Sequence, residues 1–207
     1  TGYRHHVNGA ICVWRGDDSI DWTTDETALI DAISDQFGIA IERVMHHERI
    51  VRLSRTDELT GLLNRRAFLE EELPRRMDRL QYSGGTAALL FVDLDNFKLV
   101  NDIHGHHRGD EVLILLARFL EKHSRPGDAV ARFGGDEFAM WLDGMDANSA
   151  ETRAQAMIED SRVFKQHSGD GDHPLGISVG VSMYKSGSEE RIDQLMGRAD
   201  DAMYKVK

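Results

Sequence analysis

Two pairs of carboxylates stand where a sequence rarely places them. Asp93 and Asp95 close an apolar run, "TAALLFVDLD" (86–95), and Asp136 and Glu137 follow a glycine pair in "RFGGDEFAMW" (132–141). Charge held beside a core is costly unless something compensates it. Four hard oxygen donors with no cysteine nearby suit Mg²⁺, and without a cation such a cluster repels itself. A divalent pair can activate a hydroxyl and stabilise in-line displacement at phosphorus. Gly134 and Gly135 let a bulky substrate approach the backbone. The acids meet at one sheet edge only if the two strands are neighbours. From spacing alone, a solvated acidic turn is the competing reading.

The segment "DNFKLVNDIHGHHRGD" (95–110) adds polar groups. Lys98 offers a point charge for a phosphate. Asn101 and Asp110 suit a purine edge, because an amide offers donor and acceptor together and a carboxylate suits paired N–H groups. His104, His106 and His107 have the spacing H-x-H-H with no matching cysteine set, which is a poor zinc pattern. The residues by themselves point to a Mg²⁺-dependent phosphoryl-transfer or nucleotide site.

The bulk composition agrees. The 207 residues carry a net charge of −11, which argues against binding nucleic-acid polymers or anionic membranes. A nucleotide is still allowed, since a metal ion can bridge carboxylates to phosphates. Hydrophobic content is 41% and charged content 29%, as in globular proteins. The single cysteine, Cys12, allows no intrachain disulfide and fits a reducing, cytoplasmic setting. No apolar run approaches the ~20 residues needed to span a bilayer, and no signal-peptide pattern opens the chain. The first residue is not Met, which suggests a piece of something longer.

The elements that must position these groups are readable in outline. "NGAICVW" (8–14) reads as a strand and "RGDDS" (15–19) as a turn. A long helix follows, with Thr24 as its expected N-cap. Ile30, Ile33, Phe37, Ala40, Val44, His47, Val51 and Ser54 alternate by three and four, the spacing of a coiled-coil seam. One amphipathic helix packed on its own domain is the alternative. Asn64 suits the cap of the next helix, which Pro74 should kink or restart. Then come a strand (86–95), a helix (110–123), two strands forming a hairpin around Gly134–Gly135 (128–133 and 137–142), a helix (148–166) capped by Asn148 or Ser149, a strand (176–184) and a helix (188–207). Helices on one face of a mainly antiparallel sheet make an α+β layer.

Four blocks in order and spacing now identify a resemblance. "DELTGLLNRR" (57–66), "FVDLDNFKLVNDIHGHHRGD" (91–110), "RFGGDEF" (132–138) and "RADDAMYKVK" (198–207) resemble the bacterial GGDEF family of diguanylate cyclases over about residues 56–207. The resemblance implies a ferredoxin-like palm of the nucleotide-cyclase type. It implies condensation of two GTP into cyclic di-GMP with release of two pyrophosphates, across a homodimer in which each 3′-hydroxyl attacks the other nucleotide's α-phosphate. Carried over by position, Asp93, Asp136 and the Leu94 carbonyl would hold Mg²⁺, with Mn²⁺ as an alternative ion. Glu137 would assist at the metal or in catalysis. Asn101 and Asp110 would bind guanine, Lys98 and Lys207 phosphates, and Gly134 and Gly135 would give the nucleotide room.

The same resemblance marks "RPGD" (125–128) as a product-inhibition site, with Arg125 on the guanine or phosphate of cyclic di-GMP and Asp128 accepting from guanine. Residues 1–55 resemble the tail of a GAF sensor domain followed by a signalling coiled-coil helix. Two departures stand out. The chain ends at Lys207, where the family usually continues into a "GR" pair whose Arg helps hold phosphate. No EAL-type or HD-type continuation points to cyclic di-GMP breakdown.

Overall fold

Thr23, rather than Thr24, caps the long helix. The Glu26 N–H donates to Thr23 Oγ1 at 3.3 Å, and the Thr23 N–H donates back to the Glu26 carboxylate at 2.9 Å. This reciprocal capping box satisfies two otherwise orphaned donors. The computed structural model describes the backbone of residues 2–3, 6–7, 12–14 and 21–205, and the side chains of 12–14, 21–45 and 55–205. Lys207, the turn expected at 15–19 and most of the strand expected at 8–14 lie outside these. Residues 12–14 are not in a strand.

The chain divides into two units, Thr1–Ser54 and Arg55–Lys207. In the first, β1 (Gly2–Tyr3) pairs antiparallel with β2 (His6–Val7), and α1 spans Thr24–Arg55. Ile33, Phe37 and Val44 on the expected seam of α1 are exposed. His47, Val51 and Ser54 have side chains outside the described set.

The second unit opens with β3 (Leu63–Asn64) and a short α2 (Arg65–Ala67). Asn64 caps α2 as expected, accepting from the Ala67 N–H at 2.9 Å. The helix then widens into a π turn at Phe68–Glu72 and restarts as α3 (Leu73–Ser83), with Pro74 in its first turn. Proline has no N–H to give and its ring crowds the carbonyl four residues back, so the wider turn falls just before it.

Then follow β4 (Thr86–Asp95), α4 (Phe97–His104), α5 (His106–Lys122), β5 (Ala129–Gly134), β6 (Glu137–Asp143), α6 (Ala147–Asp160), a 3₁₀ turn (Ser161–His167), β7 (Gly176–Lys185) and α7 (Ile192–Tyr204). Helix α4 was not expected. It is short, and Gly105 at φ +82° breaks it from α5, which starts four residues ahead of Asp110. Asp146 caps α6 in place of Asn148 or Ser149, accepting from the Ser149 N–H at 2.8 Å.

The sheet order is β3-β5-β6-β4-β7. Only β3–β5 is parallel. From β4 onward the chain runs strand, helices, strand, strand, helix, strand, which is the split βαβ pattern of a ferredoxin-like sheet. Helices cover both faces, not one. Ala87, Leu89 and Phe91 pack with Phe68, Leu73 and Leu195. Ala88, Leu90 and Val92 pack with Leu113, Leu116 and Met157. Burial on both faces explains why β4 reads as an unbroken apolar run and not as an alternation. Gly180 lets α7 lie against β7, since a Cβ there would fall 2.0 Å from the Ala199 carbonyl oxygen.

Candidate active site

Strands β4 and β6 are neighbours, and their register sets Asp93 directly opposite Glu137. Residues paired across a ladder share a face, so both carboxylates leave the sheet on the same side. Asp93 is 5% exposed, while Glu137 is exposed at the open end of the hairpin. Like charges directly opposed destabilise a sheet. Asp95 has a different fate: it faces Gly176 on β7, and Ser178 Oγ donates to its carboxylate at 2.6 Å.

The tip of the hairpin is shifted by one residue from the expected Gly134–Gly135 turn. Gly134 pairs with Glu137, so Gly135 and Asp136 are the two loop residues. A register shift between Arg132 and Gly134 makes up the difference. Gly134 at φ +136° and Gly135 at φ +53° hold backbone conformations that side-chain-bearing residues rarely adopt. Asp136 therefore sits half-buried at the tip, one residue from the Asp93–Glu137 pair. Among the described residues, no three or more Asp, Glu, His or Cys side chains are gathered closely enough to hold a metal ion by themselves.

One residue without an assigned role in the sequence reading holds this tip. The Arg132 guanidinium donates to the Gly135 carbonyl from Nε at 3.1 Å and from Nη2 at 2.8 Å. Its Nη1 donates to both Asp57 oxygens, at 3.0 and 3.2 Å. Asp57 also accepts from the Thr60 N–H at 2.9 Å and hydroxyl at 2.7 Å. Burial works against the charged form of Asp57, but the Thr60 and Arg132 hydrogen bonds outweigh it and hold its carboxyl below the usual Asp range. Opposite charges in "DELTGLLNRR" and "RFGGDEF" were the available signal, but 75 residues separate them.

Asp57→Asn should therefore cost about 2 kcal/mol at neutral pH, the scale of a hydrogen bond to a charged group. A depressed carboxyl contributes stability that is present above its unfolded pKa and lost as pH falls through the folded one. The gap between wild type and Asp57→Asn in denaturant titrations should shrink below about pH 3.8, the ordinary value of this group.

The polar segment after β4 folds into the α4–α5 hairpin. Asn96 turns the chain at φ +62°, a left-handed conformation that Asn tolerates, and its Nδ2 donates to the Pro174 carbonyl at 3.0 Å. No side chain caps α4, and Lys98 is exposed in its first turn. Asn101 on α4 abuts Gly109 on α5, and the next residue is the exposed Asp110. The Asn101 Oδ1 is buried and has no hydrogen-bond partner among the described residues.

The "RPGD" segment is a closed turn. Asp128 Oδ2 accepts from the Arg125 N–H at 2.7 Å, and Oδ1 accepts from the Asp143 N–H at 3.2 Å. The Arg125 side chain is exposed. Beneath the turn lies a buried ionic chain. Arg76 donates to the Gly127 carbonyl, to Asp143 at 2.9 Å and to Glu72 at 3.2 Å. Glu72 also receives Arg55 at 3.0 Å and Arg75 at 2.8 Å. Trp141 Nε1 donates to the other Asp143 oxygen at 2.7 Å.

Residues 54–207 match the family described as "Diguanylate cyclase, GGDEF domain". The chain is 38% identical over 161 residues to the diguanylate cyclase DgcM of Escherichia coli K12, covering 77% of this chain and 38% of the relative. It is 36% identical over 171 residues to the probable diguanylate cyclase DgcC of the same strain, covering 83% of this chain and 45% of the relative. The chain thus spans less than half the length of these curated relatives. The crystal structure of the coiled coil and GGDEF domain of DgcB from Caulobacter crescentus, in complex with c-di-GMP, superposes with a TM-score of 0.69 at 32% identity, covering 88% of this chain and 93% of that one. The palm-like sheet with its acid-tipped hairpin, the four ordered sequence blocks and these matches make one statement together: the chain belongs to the GGDEF-domain family of diguanylate cyclases.

Proposed function

We propose that this chain is a diguanylate cyclase that joins two GTP into cyclic di-GMP and releases two pyrophosphates. The observation that carries the reading is the buried Asp93 facing Glu137 across the ladder, one residue from Asp136 at a glycine tip. Carboxylates brought together at one strand end supply the hard oxygen donors that a divalent cation prefers. Mg²⁺ suits this donor set. It is typically bound by one or two carboxylates with waters and substrate phosphates, without an all-protein cage. Asp93, Asp136, Glu137 and the Leu94 carbonyl would hold it, with Mn²⁺ as an alternative. When bound, such an ion lowers the pKa of a hydroxyl and offsets charge on phosphoryl oxygens.

The remaining residues bind and orient. The uncapped first turn of α4 leaves backbone N–H groups for phosphate, with Lys98 beside them. Lys207 would add a second charge. Asn101 and Asp110 would read guanine, Asp110 accepting from paired N–H groups. Gly134 and Gly135 leave the hairpin tip bare for a second nucleotide. Each domain holds one GTP, so the reaction needs a homodimer. The exposed Ile33, Phe37 and Val44 on α1 support pairing of that helix with its copy. Residues 1–55 would then be a GAF-like tail and signalling helix, and 56–207 the cyclase domain.

Arg125 and Asp128 would bind product and inhibit the enzyme. Asp128 fixes the turn through backbone N–H groups, which leaves the Arg125 fork to meet guanine or phosphate. No helix among the described residues is long and apolar enough to cross a membrane, and we place the protein in the cytoplasm.

The test is incubation with GTP and Mg²⁺, followed by chromatography for cyclic di-GMP, with Asp136→Asn in parallel. Product from wild type alone is expected. GTP bound but not turned over by a preparation shown to be dimeric would make the chain a receptor instead of an enzyme.

A further inference from the structure

We infer that Gly109 is a positioning residue that sets the base-reading carboxamide of Asn101, and through it the preference for guanine. The inference rests on the reading of Asn101 as a guanine contact given above.

Gly109 has no conformational reason to be glycine. It is the fourth residue of α5, and its φ lies outside the left-handed range. A helix interior disfavours glycine relative to alanine, because glycine loses more backbone freedom on ordering. The position is buried, so it is no solvent-side accident. What it has instead is a neighbouring side chain that any Cβ would have to move. A Cβ at 109 would lie 2.0 Å from Asn101 Oδ1, 3.0 Å from its Cγ and 3.2 Å from Phe97 Cζ. Real Cβ contacts do not reach 2.0 Å, so an alanine must displace the carboxamide.

The displaced group is the one that matters. Asn101 Oδ1 is buried and has no hydrogen-bond partner among the described residues. A buried amide oxygen without a donor is costly and seldom kept without a reason. The notch at Gly109 fixes how deep this amide lies between α4 and α5, next to Asp110. Reading a base edge by hydrogen bonds depends on such placement, because a misaligned partner leaves polar groups unpaired on both sides. The glycine thus acts through Asn101 and touches no nucleotide itself.

The experiment is a double-mutant cycle on the full chain with Gly109→Ala, Asn101→Ala and the two combined. Gly109→Ala should raise KM for GTP about tenfold with kcat within about twofold. It should also lower the ratio of kcat/KM for GTP over that for ITP or ATP. In the Asn101→Ala background the same substitution should change neither. Thermal midpoints should reverse sign: Gly109→Ala lowers Tm in wild type and raises it once Asn101 is shortened, since the clash is gone and alanine is the better helix former.

An unchanged KM and nucleotide preference in Gly109→Ala would overturn the inference. So would an equal loss of Tm in both backgrounds, which would assign the glycine to packing against Phe97. Calorimetric GTP affinity replaces KM if turnover is absent. If Asn101→Ala binds GTP as wild type does, the guanine reading of Asn101 fails and takes the specificity claim with it. The reversal of Tm sign needs no nucleotide and tests the notch separately.

Discussion

Asp93→Asn should lose cyclic di-GMP synthesis and keep its fold. The side chain is 5% exposed and sits opposite Glu137 in the β4–β6 ladder. Asn keeps the volume and removes the charge. A group aimed at charge that develops during reaction is worth about 10²–10³ in rate when removed, so product formation should fall by at least that much on the proposed reading. Asn retains hydrogen-bonding capacity at this buried position, and removing one of two directly opposed like charges favours the sheet.

Two measurements separate a metal role from a structural one. Chromatography reads the product. Thermal melts with and without Mg²⁺ and a non-reacting GTP analogue read the ion. A ligand at 100 times its Kd stabilises by about 2.7 kcal/mol, so wild type should melt higher with both present and Asp93→Asn should gain less. Wild-type turnover in Asp93→Asn would remove this residue from the metal site. A collapsed melt without ligand would show that the carboxylate holds the sheet together.

Arg76→Ala should have the largest effect on stability. Arg76 is buried against Glu72 and Asp143, and it supports the Gly127 carbonyl under the "RPGD" turn. Removing it leaves Glu72 with Arg55 and Arg75, and Asp143 with Arg79. The change takes away the buried link between the two carboxylates and the donor to the Gly127 carbonyl, at a cost of about 3 kcal/mol, the low end for breaking a buried ion pair. For a chain of this size that lowers Tm on the order of 10 °C. Burial alone would raise the Glu72 pKa, but Arg75, Arg76 and Arg55 outweigh it and hold the carboxyl below the usual Glu range. The sign follows from that depression. The contribution is complete above the unfolded Glu pKa and is lost as pH falls through the lowered folded value. The deficit of Arg76→Ala should narrow in acid. Loosening the turn should also weaken inhibition by added cyclic di-GMP in initial-rate assays. A variant with wild-type melting and wild-type inhibition would show that neighbouring arginines carry this network alone.

Strong local signals were legible in the sequence. The unbroken apolar run of β4, the glycine-tipped hairpin, the Asn64 cap and the restart at Pro74 were all visible, because each depends on residues a few positions apart. Helix α4 was missed. It is only eight residues long, too short to be marked by its own periodicity, and its stability comes from packing Phe97 and Val100 into the core. The caps at Thr23 and Asp146 were misplaced by one residue and by two or three. Neighbouring Ser, Thr, Asn and Asp all carry an oxygen that can cap, and only backbone geometry chooses among them.

The site divides along the same line. Residue type and order determined that acids follow an apolar strand and a glycine turn, that an amide and a carboxylate come after that strand, and that the chain belongs to its family. The tertiary structure decided which acids meet. Register put Asp93 against Glu137 and gave Asp95 to Ser178. It also brought Asp57 to Arg132 and Arg76 to the turn at Gly127, across separations of 75 and 51 residues. Such pairings carry no local pattern. They follow from strand order and helix packing, which sum many weak contacts over the whole domain, and a charged residue's partner is fixed only when that sum is complete.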